Sequence, residues 1–306
     1  MIYLSAIVIV IGLFIFESVA SIDNVIINAD ILATMKPKYR KWFLIWGIIL
    51  SVFLVRGLLP WLILWITNPT LGPIEIFIRS LNSDLGTIED TAPYLLMFGG
   101  MFMLFLFCYW LFCEKKKCIV PGERYLTNQT PWYYVIVTIV LLIVVCIAIY
   151  PQHNHLLAFS AVAGSTLFFL IQGFRLFADK KTAELGNSES SESTKLLMLV
   201  VIDSVFSIDS VIGAFAFTFS IPLIFIGCGL GAIVVRELTI KYVNIIKRYI
   251  YLKNGAMYSV FMLSIIMICG GFGIDIPNWI ATALMIVLVS FFFFISIKRN
   301  RRVKAN

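Results

Sequence analysis

Glu17-Ser18-Val19-Ala20-Ser21-Ile22-Asp23-Asn24-Val25-Ile26 lies inside one long apolar run, and Asp203-Ser204-Val205-Phe206-Ser207-Ile208-Asp209-Ser210-Val211-Ile212 lies inside another. Seven of the ten positions are identical, and an eighth keeps a carboxylate. Apolar letters coincide easily between hydrophobic segments. Carboxylates set within such segments do not, because each is costly away from water. The match continues more weakly into the next run, where Gly47 and Val55-Arg56 align with Gly227 and Val235-Arg236. The spacing predicts an internal duplication.

The surroundings of the two motifs set the class. Of the 306 residues, 60% are apolar and only 13% charged, and mean hydropathy is +0.96. Soluble domains run nearer 45–50% apolar and 25% charged, so lipid is the solvent that fits. A transmembrane helix takes about 20 mostly apolar residues. Apolar runs predict nine such helices, near 3–31, 42–66, 91–113, 132–150, 155–177, 196–219, 221–246, 257–274 and 279–297. The runs lack the alternation of barrel strands, so the predicted class is an all-α membrane protein. The first run starts at Ile2 without a basic segment before it, which reads as a span and not as a cleavable signal.

Charge in the connections tests this count. Lys36, Lys38, Arg40 and Lys41 follow the first run. Lys115, Lys116, Lys117 and Arg124 follow the third, Lys180, Lys181 and Lys195 the fifth, and Lys247, Arg248 and Lys253 the seventh. The tail carries Lys298, Arg299, Arg301, Arg302 and Lys304. The alternate connections are acidic or uncharged on balance: the one after span two holds a single Arg79 among Glu75, Asp84, Glu89 and Asp90. Basic loops stay cytoplasmic, which puts the N-terminus outside and the C-terminus in the cytoplasm. The net charge of +7 is therefore an orientation signal and not a nucleic-acid footprint. The Ser- and Glu-rich stretch Thr182–Thr194 reads as a cytoplasmic linker. The expected organisation is a first half over 1–178 (spans one to five), a linker over 179–195, and a second half over 196–306 (spans six to nine). Five spans separate the first motif from the second, so the copies run in opposite directions, an arrangement found in secondary transporters.

Glu17, Ser21, Asn24 and Asn28 fall at i, i+4, i+7 and i+11, one polar stripe on a helix. Asp203, Ser207 and Ser210 repeat its first part. Asp23 and Asp209 lie six residues beyond Glu17 and Asp203, about 120° around a regular helix. They reach the same site if the helix unwinds between them, and face different neighbours if it does not. The candidate metal ligands are Glu17, Asp23, Asn24, Asn28, Asp203, Asp209 and Ser210. Arg56 and Arg236 are candidates for charge balance or gating. Oxygen-only donors suit hard divalent cations such as Mn²⁺, Mg²⁺ and Ca²⁺. Four carboxylates against Arg56 and Arg236 leave a charge of −2, which one divalent cation neutralises. The competing account is structural: buried carboxylates and arginines also pair simply to hold helices together. The six cysteines show no metal-site spacing and read as small buried hydrophobes. His153 and His155 read as surface histidines.

The paired acidic motifs, together with Trp46-Gly-Ile-Ile-Leu-Ser-Val-Phe-Leu-Val-Arg56, resemble those of the TerC-like integral membrane family, in its nine-span bacterial subgroup. That resemblance implies a bacterial inner-membrane protein. Members are linked to manganese efflux, others to tellurite-resistance phenotypes, and some to metal loading of exported proteins. By the same resemblance, Glu17, Asp23, Asn24, Asp203 and Asp209 handle the metal. Ser210 stands where the first motif has Asn24, so the half-sites are unequal.

The function expected is export of a divalent cation, foremost Mn²⁺, by alternating access, with proton exchange as a driving force. No phosphate-binding G-x-x-x-x-G-K-[ST] stretch is present, and no bound cofactor or enzymatic activity is expected. The partners expected are the metal ion and the lipid bilayer, with no nucleic acid; the oligomeric state is not legible. The alternatives are efflux of a small zwitterion or oxyanion held by the arginines, and a membrane partner that transports nothing. An intramembrane aspartyl protease is a third. It is disfavoured because Gly271-Phe272-Gly273-Ile274-Asp275 has one residue too many for the protease G-x-G-D pattern.

Overall fold

A computed structural model describes residues 2–21, 32, 35–67, 72–81, 90–114, 116, 118–119, 122–186, 191–246, 251–274 and 276–305, with the side chains of a few helical residues, Arg236 among them, left aside. Every regular element among the described residues is helical. In chain order these are α1 (Ile2–Ala20), α2 (Pro37–Ile48), a π-helical segment (Ile49–Leu58), α3 (Leu59–Thr67), α4 (Pro73–Leu81) and α5 (Ala92–Cys113). There follow α6 (Glu123–Leu126), α7 (Thr130–Ile149), α8 (His155–Gly186), α9 (Glu192–Ala214), α10 (Ile221–Ile246), α11 (Leu252–Gly271) and α12 (Asn278–Ala305).

Proline marks several of the starts. Pro37 and Pro73 open α2 and α4, and Pro93, Pro131 and Pro222 stand second in α5, α7 and α10. At a first turn the missing N–H costs nothing and the fixed φ suits the helix.

Six helices, α5, α7, α8, α9, α11 and α12, are long and apolar enough to cross a membrane, and shorter apolar segments lie in Ser5–Ala20, Leu54–Ile66 and Ile221–Val235. The outward faces are apolar too: Ile139, Leu142 and Ile143 on α7 and Phe291 and Phe294 on α12 are exposed. Trp132 and Trp279 lie exposed at the starts of those two helices, where indoles settle at a membrane interface. These surfaces make the chain a membrane-embedded helical protein.

The core gathers around α5, where Met97, Met101, Phe102, Met103 and Trp110 are fully buried. It packs between α8 and α11. Helix α1 rests on α10 and α12, while α9 rests on the continuous α2–π–α3 helix.

Several boundaries differ from the sequence reading. Span six does not run to 219: α9 ends at Ala214, and Phe215, Ala216, Phe217 and Ser220 of the turn into α10 are buried. Irregular backbone in a membrane protein is tolerated where protein covers it, and Thr218 Oγ1 accepts the Ser220 N–H at 3.1 Å. The expected linker is helical at both ends. Helix α8 carries on through Ala183-Glu184-Leu185 to Gly186, as good helix formers do. Ser191 then caps α9 by accepting the Thr194 N–H at 3.3 Å. Glu192 accepts the Lys36 N–H at 3.1 Å, tying this end to the start of α2. The acidic connection after span two contains a short amphipathic helix, α4. Its Glu75 and Arg79 pair at 2.6 Å, with Ile76 buried and Ile74 and Phe77 exposed.

A polar cluster closes one end of the bundle. Glu123 is buried and accepts the Ile119 N–H at 2.8 Å and the Tyr258 hydroxyl. Glu114 pairs with Lys253 at 2.5 Å. Lys116 lies over the Trp110 ring at 3.5 Å and donates to the Leu111 carbonyl at 3.0 Å, capping the carbonyl end of α5. Burial pushes the Lys116 ammonium down to about 8, against the opposing pull of Glu123.

Candidate functional site: two buried ion pairs

Glu17 is fully buried although it is charged. The sequence permits this through Gly227 and Gly231, four residues apart on α10. A Cβ at Gly231 would lie 2.7 Å from Glu17 Cβ, and one at Gly227 would lie 2.6 Å from Leu13 Cβ. Two glycines at this spacing let the helices meet closely, as small-xxx-small pairs do in membranes. Arg56 Nη2 donates to Glu17 Oε1 in an ion pair, and Ser21 Oγ donates to the same oxygen at 2.6 Å. The other oxygen, Oε2, is buried without a hydrogen-bond partner.

Arg56 is brought there by the π segment. Pro60 follows four residues later, and its ring has no N–H to give the Arg56 carbonyl and crowds it. The wider turns of a π-helix relieve that conflict, and such turns recur at functional sites. The sequence reading placed Arg56 on a plain span and carried no sign of the π geometry beyond Pro60.

On the second motif the helix is continuous from Asp203 through Asp209. The two carboxylates therefore face different neighbours, the second of the two outcomes allowed by their spacing. Asp209 Oδ2 pairs with Arg175 Nη2 of α8, while Oδ1 is buried without a hydrogen-bond partner. Asp203 is only 7% exposed and lies within electrostatic range of Arg56, as Glu17 does of Asp209. Ser207 and Ser210 are buried, but their hydroxyls donate to the Asp203 and Ser207 carbonyls of their own helix at 2.7 and 2.8 Å.

Five charges thus share one neighbourhood at the meeting of α1, the π segment, α8, α9 and α10: Glu17, Asp203 and Asp209 against Arg56 and Arg175. Arg175 escaped the sequence reading. Its signal was a lone guanidinium within the apolar run of span five, whereas Arg56 was picked out by its match to Arg236 in the repeat. The buried Cys228 thiol on α10 also lies within electrostatic range of Glu17 and Arg56. Of the other expected site residues, Asp23, Asn24 and Asn28 lie outside the described residues, as does the side chain of Arg236. Among the described residues no three His, Cys, Asp or Glu side chains converge as a metal-binding group.

Beside this site the π segment and α3 also wall an apolar cleft of about 650 Å³, lined by Gly57, Trp61, Phe77, Pro222 and Phe225. Trp61 Nε1 donates to the Pro73 carbonyl at 2.9 Å, holding α4 at its rim.

No curated protein and no solved structure matches the chain. A family model described as a protein of unknown function matches residues 22–303, and the chain belongs to that family, DUF475.

Proposed function

We propose that this protein is a secondary transporter exporting a divalent metal cation, with Mn²⁺ as the cation its resemblance to the TerC-like family names. One observation carries the reading. Glu17 and Asp203, both buried, and the partly buried Asp209 come from the two related motifs and lie within electrostatic range of the same group of charges. Ionisable groups kept inside a membrane bundle mark ion pathways by default.

The six long helices and the three shorter apolar segments make nine spans in this reading. Basic loops lie in the cytoplasm, the N-terminus outside, and the membrane is the bacterial inner membrane. The helix contacts favour an inverted repeat of the halves 1–178 and 196–306. Helix α1 rests on α10 as α9 rests on the α2–π–α3 helix, the exchange of partners that relating spans one and two to six and seven requires. Asp23, Asn24 and Asn28 complete the ligand set in this reading, with Glu17 and Asp209 entering it as their arginine pairs open.

The test is Mn²⁺ flux into proteoliposomes and Mn²⁺ tolerance of cells, for wild type against Glu17→Gln and Asp209→Asn. We expect both variants to reach the membrane and lose at least 90% of the flux. Wild-type flux from both would overturn the assignment of the site. Flux of tellurite or a small zwitterion in place of Mn²⁺ would overturn the choice of cargo.

A further inference from the structure

The residues that wall the cleft beside the π segment are all apolar or glycine, and they come from the π segment, α3, α4 and α10. The polar side-chain atom among them, Trp61 Nε1, is already given to the Pro73 carbonyl. Water gains little in such a space, because it needs polar partners. At about 650 Å³ the cleft has the size of a small-molecule site, about 300–1,000 Å³. Part of that room exists because residue 57 has no side chain: a Cβ there would stand 3.4 Å from the Phe225 ring, in ordinary contact. The walls run out onto the surface that meets lipid. Ile226 begins an exposed stripe on α10 that continues through Leu230 and Ile233, at i, i+4 and i+7. Leu54 and Leu58 expose a second stripe on the π segment. Helix α4 exposes Ile74, Phe77 and Ile78 on one face and carries the Glu75–Arg79 pair on another. An amphipathic helix of this kind lies at the boundary of headgroups and acyl chains. Trp61, stacked on Trp65 with ring centroids 6.0 Å apart, is a residue type that settles at the same depth.

We propose that this cleft is a binding site for an acyl chain of a bilayer phospholipid, seated between the π segment and α10 beside α4. The occupant follows from continuity: the cleft is an inward fold of the apolar face that lipid covers on either side of it. Lipid tails are as apolar as the walls, so no transfer from water holds the chain there. An unfilled cleft would forfeit dispersion contacts along all of its walls, and a flexible hydrocarbon chain restores them. Its methylenes pack on Gly57 and the Phe225 ring, and its headgroup stays at the level of the Glu75–Arg79 pair. The site touches the two residues that follow Arg56, and it stands whether or not the cargo is Mn²⁺.

The experiment uses the full chain in phosphatidylethanolamine–phosphatidylglycerol vesicles. A small fraction of the phosphatidylethanolamine carries a photoreactive diazirine midway along one acyl chain. After irradiation, peptide mass spectrometry compares label at Trp61, Phe77 and Phe225 with label on two ordinary lipid-facing surfaces, Leu142–Ile143 of α7 and Phe291–Phe294 of α12. The cleft peptides should carry at least about tenfold more label per residue, the ratio that a preference of about 1.4 kcal/mol produces. Gly57→Leu and Ile226→Trp fill the cleft from its two walls. Each should cut label at the Phe77 peptide severalfold and leave label on α7 and α12 unchanged, which also shows that the variant is folded. If Gly57→Leu does not fold, Ile226→Trp decides. Equal label on all surfaces would mean ordinary surrounding lipid only and would overturn the proposal. An unlabelled cleft, closed by the protein itself, would do the same, as would label at Phe77 that ignores both variants. A diazirine fatty acid that labels the cleft where the phospholipid does not would overturn the choice of occupant.

Discussion

Removing Arg56 should cost far more than removing the ion pair as a whole. Glu17 is 0% and Arg56 2% exposed, so water screens neither charge. Arg56→Met leaves the Glu17 carboxylate with only the Ser21 hydroxyl. Breaking a buried pair from one side costs about 3–5 kcal/mol. Glu17→Met should cost less, since Arg56 keeps Asp203 nearby. The double variant exchanges the pair for apolar side chains of similar length and should lie within about 1 kcal/mol of wild type or above it, as apolar replacements of buried pairs do. The resulting coupling is at least about 3 kcal/mol, roughly 100-fold in the unfolding equilibrium. Reversible unfolding in mixed micelles, followed by tryptophan fluorescence, measures all four corners of the cycle. Additive single effects, or a Glu17→Met cost exceeding that of Arg56→Met, would refute the reasoning.

Two further outcomes test the packing and the end cluster. Gly231→Ala puts a methyl 2.7 Å from Glu17 Cβ and 3.0 Å from the Phe14 carbonyl, and should destabilise by about 1–3 kcal/mol by overpacking. Gly173→Ala meets nothing within 4 Å and should be neutral or slightly stabilising; thermal unfolding of the two side by side checks this. Lys116 has a folded value of about 8 against 10.5 for the free side chain, so the folded state sheds that proton first. Its contribution to stability should therefore rise as pH climbs from about 8 to 10.5. Unfolding curves of wild type and Lys116→Met across that range should converge or cross in that direction.

The membrane class was legible because composition and loop charge report directly on the solvent around each helix. The acidic motifs were legible because a carboxylate inside an apolar run has few explanations. The pairing was not. Arg236 matched Arg56 in sequence, but the partner of Asp209 is Arg175, whose helix lies outside the repeated motifs and is brought in only by tertiary packing. The end of α9 at Ala214 was hidden for a similar reason, since buried apolar turns and helices share composition. The amphipathic α4 was read as a connection because its nine residues are too few to announce a span.

The ten residues from Ile49 to Leu58 wind more loosely than the turns on either side. A backbone wound in that way holds a fraction of a revolution in reserve. Tightening it to ordinary pitch would turn Arg56 about the helix axis and carry it off Glu17, while Trp61, braced against Pro73, stayed in place. A change of winding there would move the guanidinium relative to the Glu17 carboxylate and would also turn and shift one of the flanking segments.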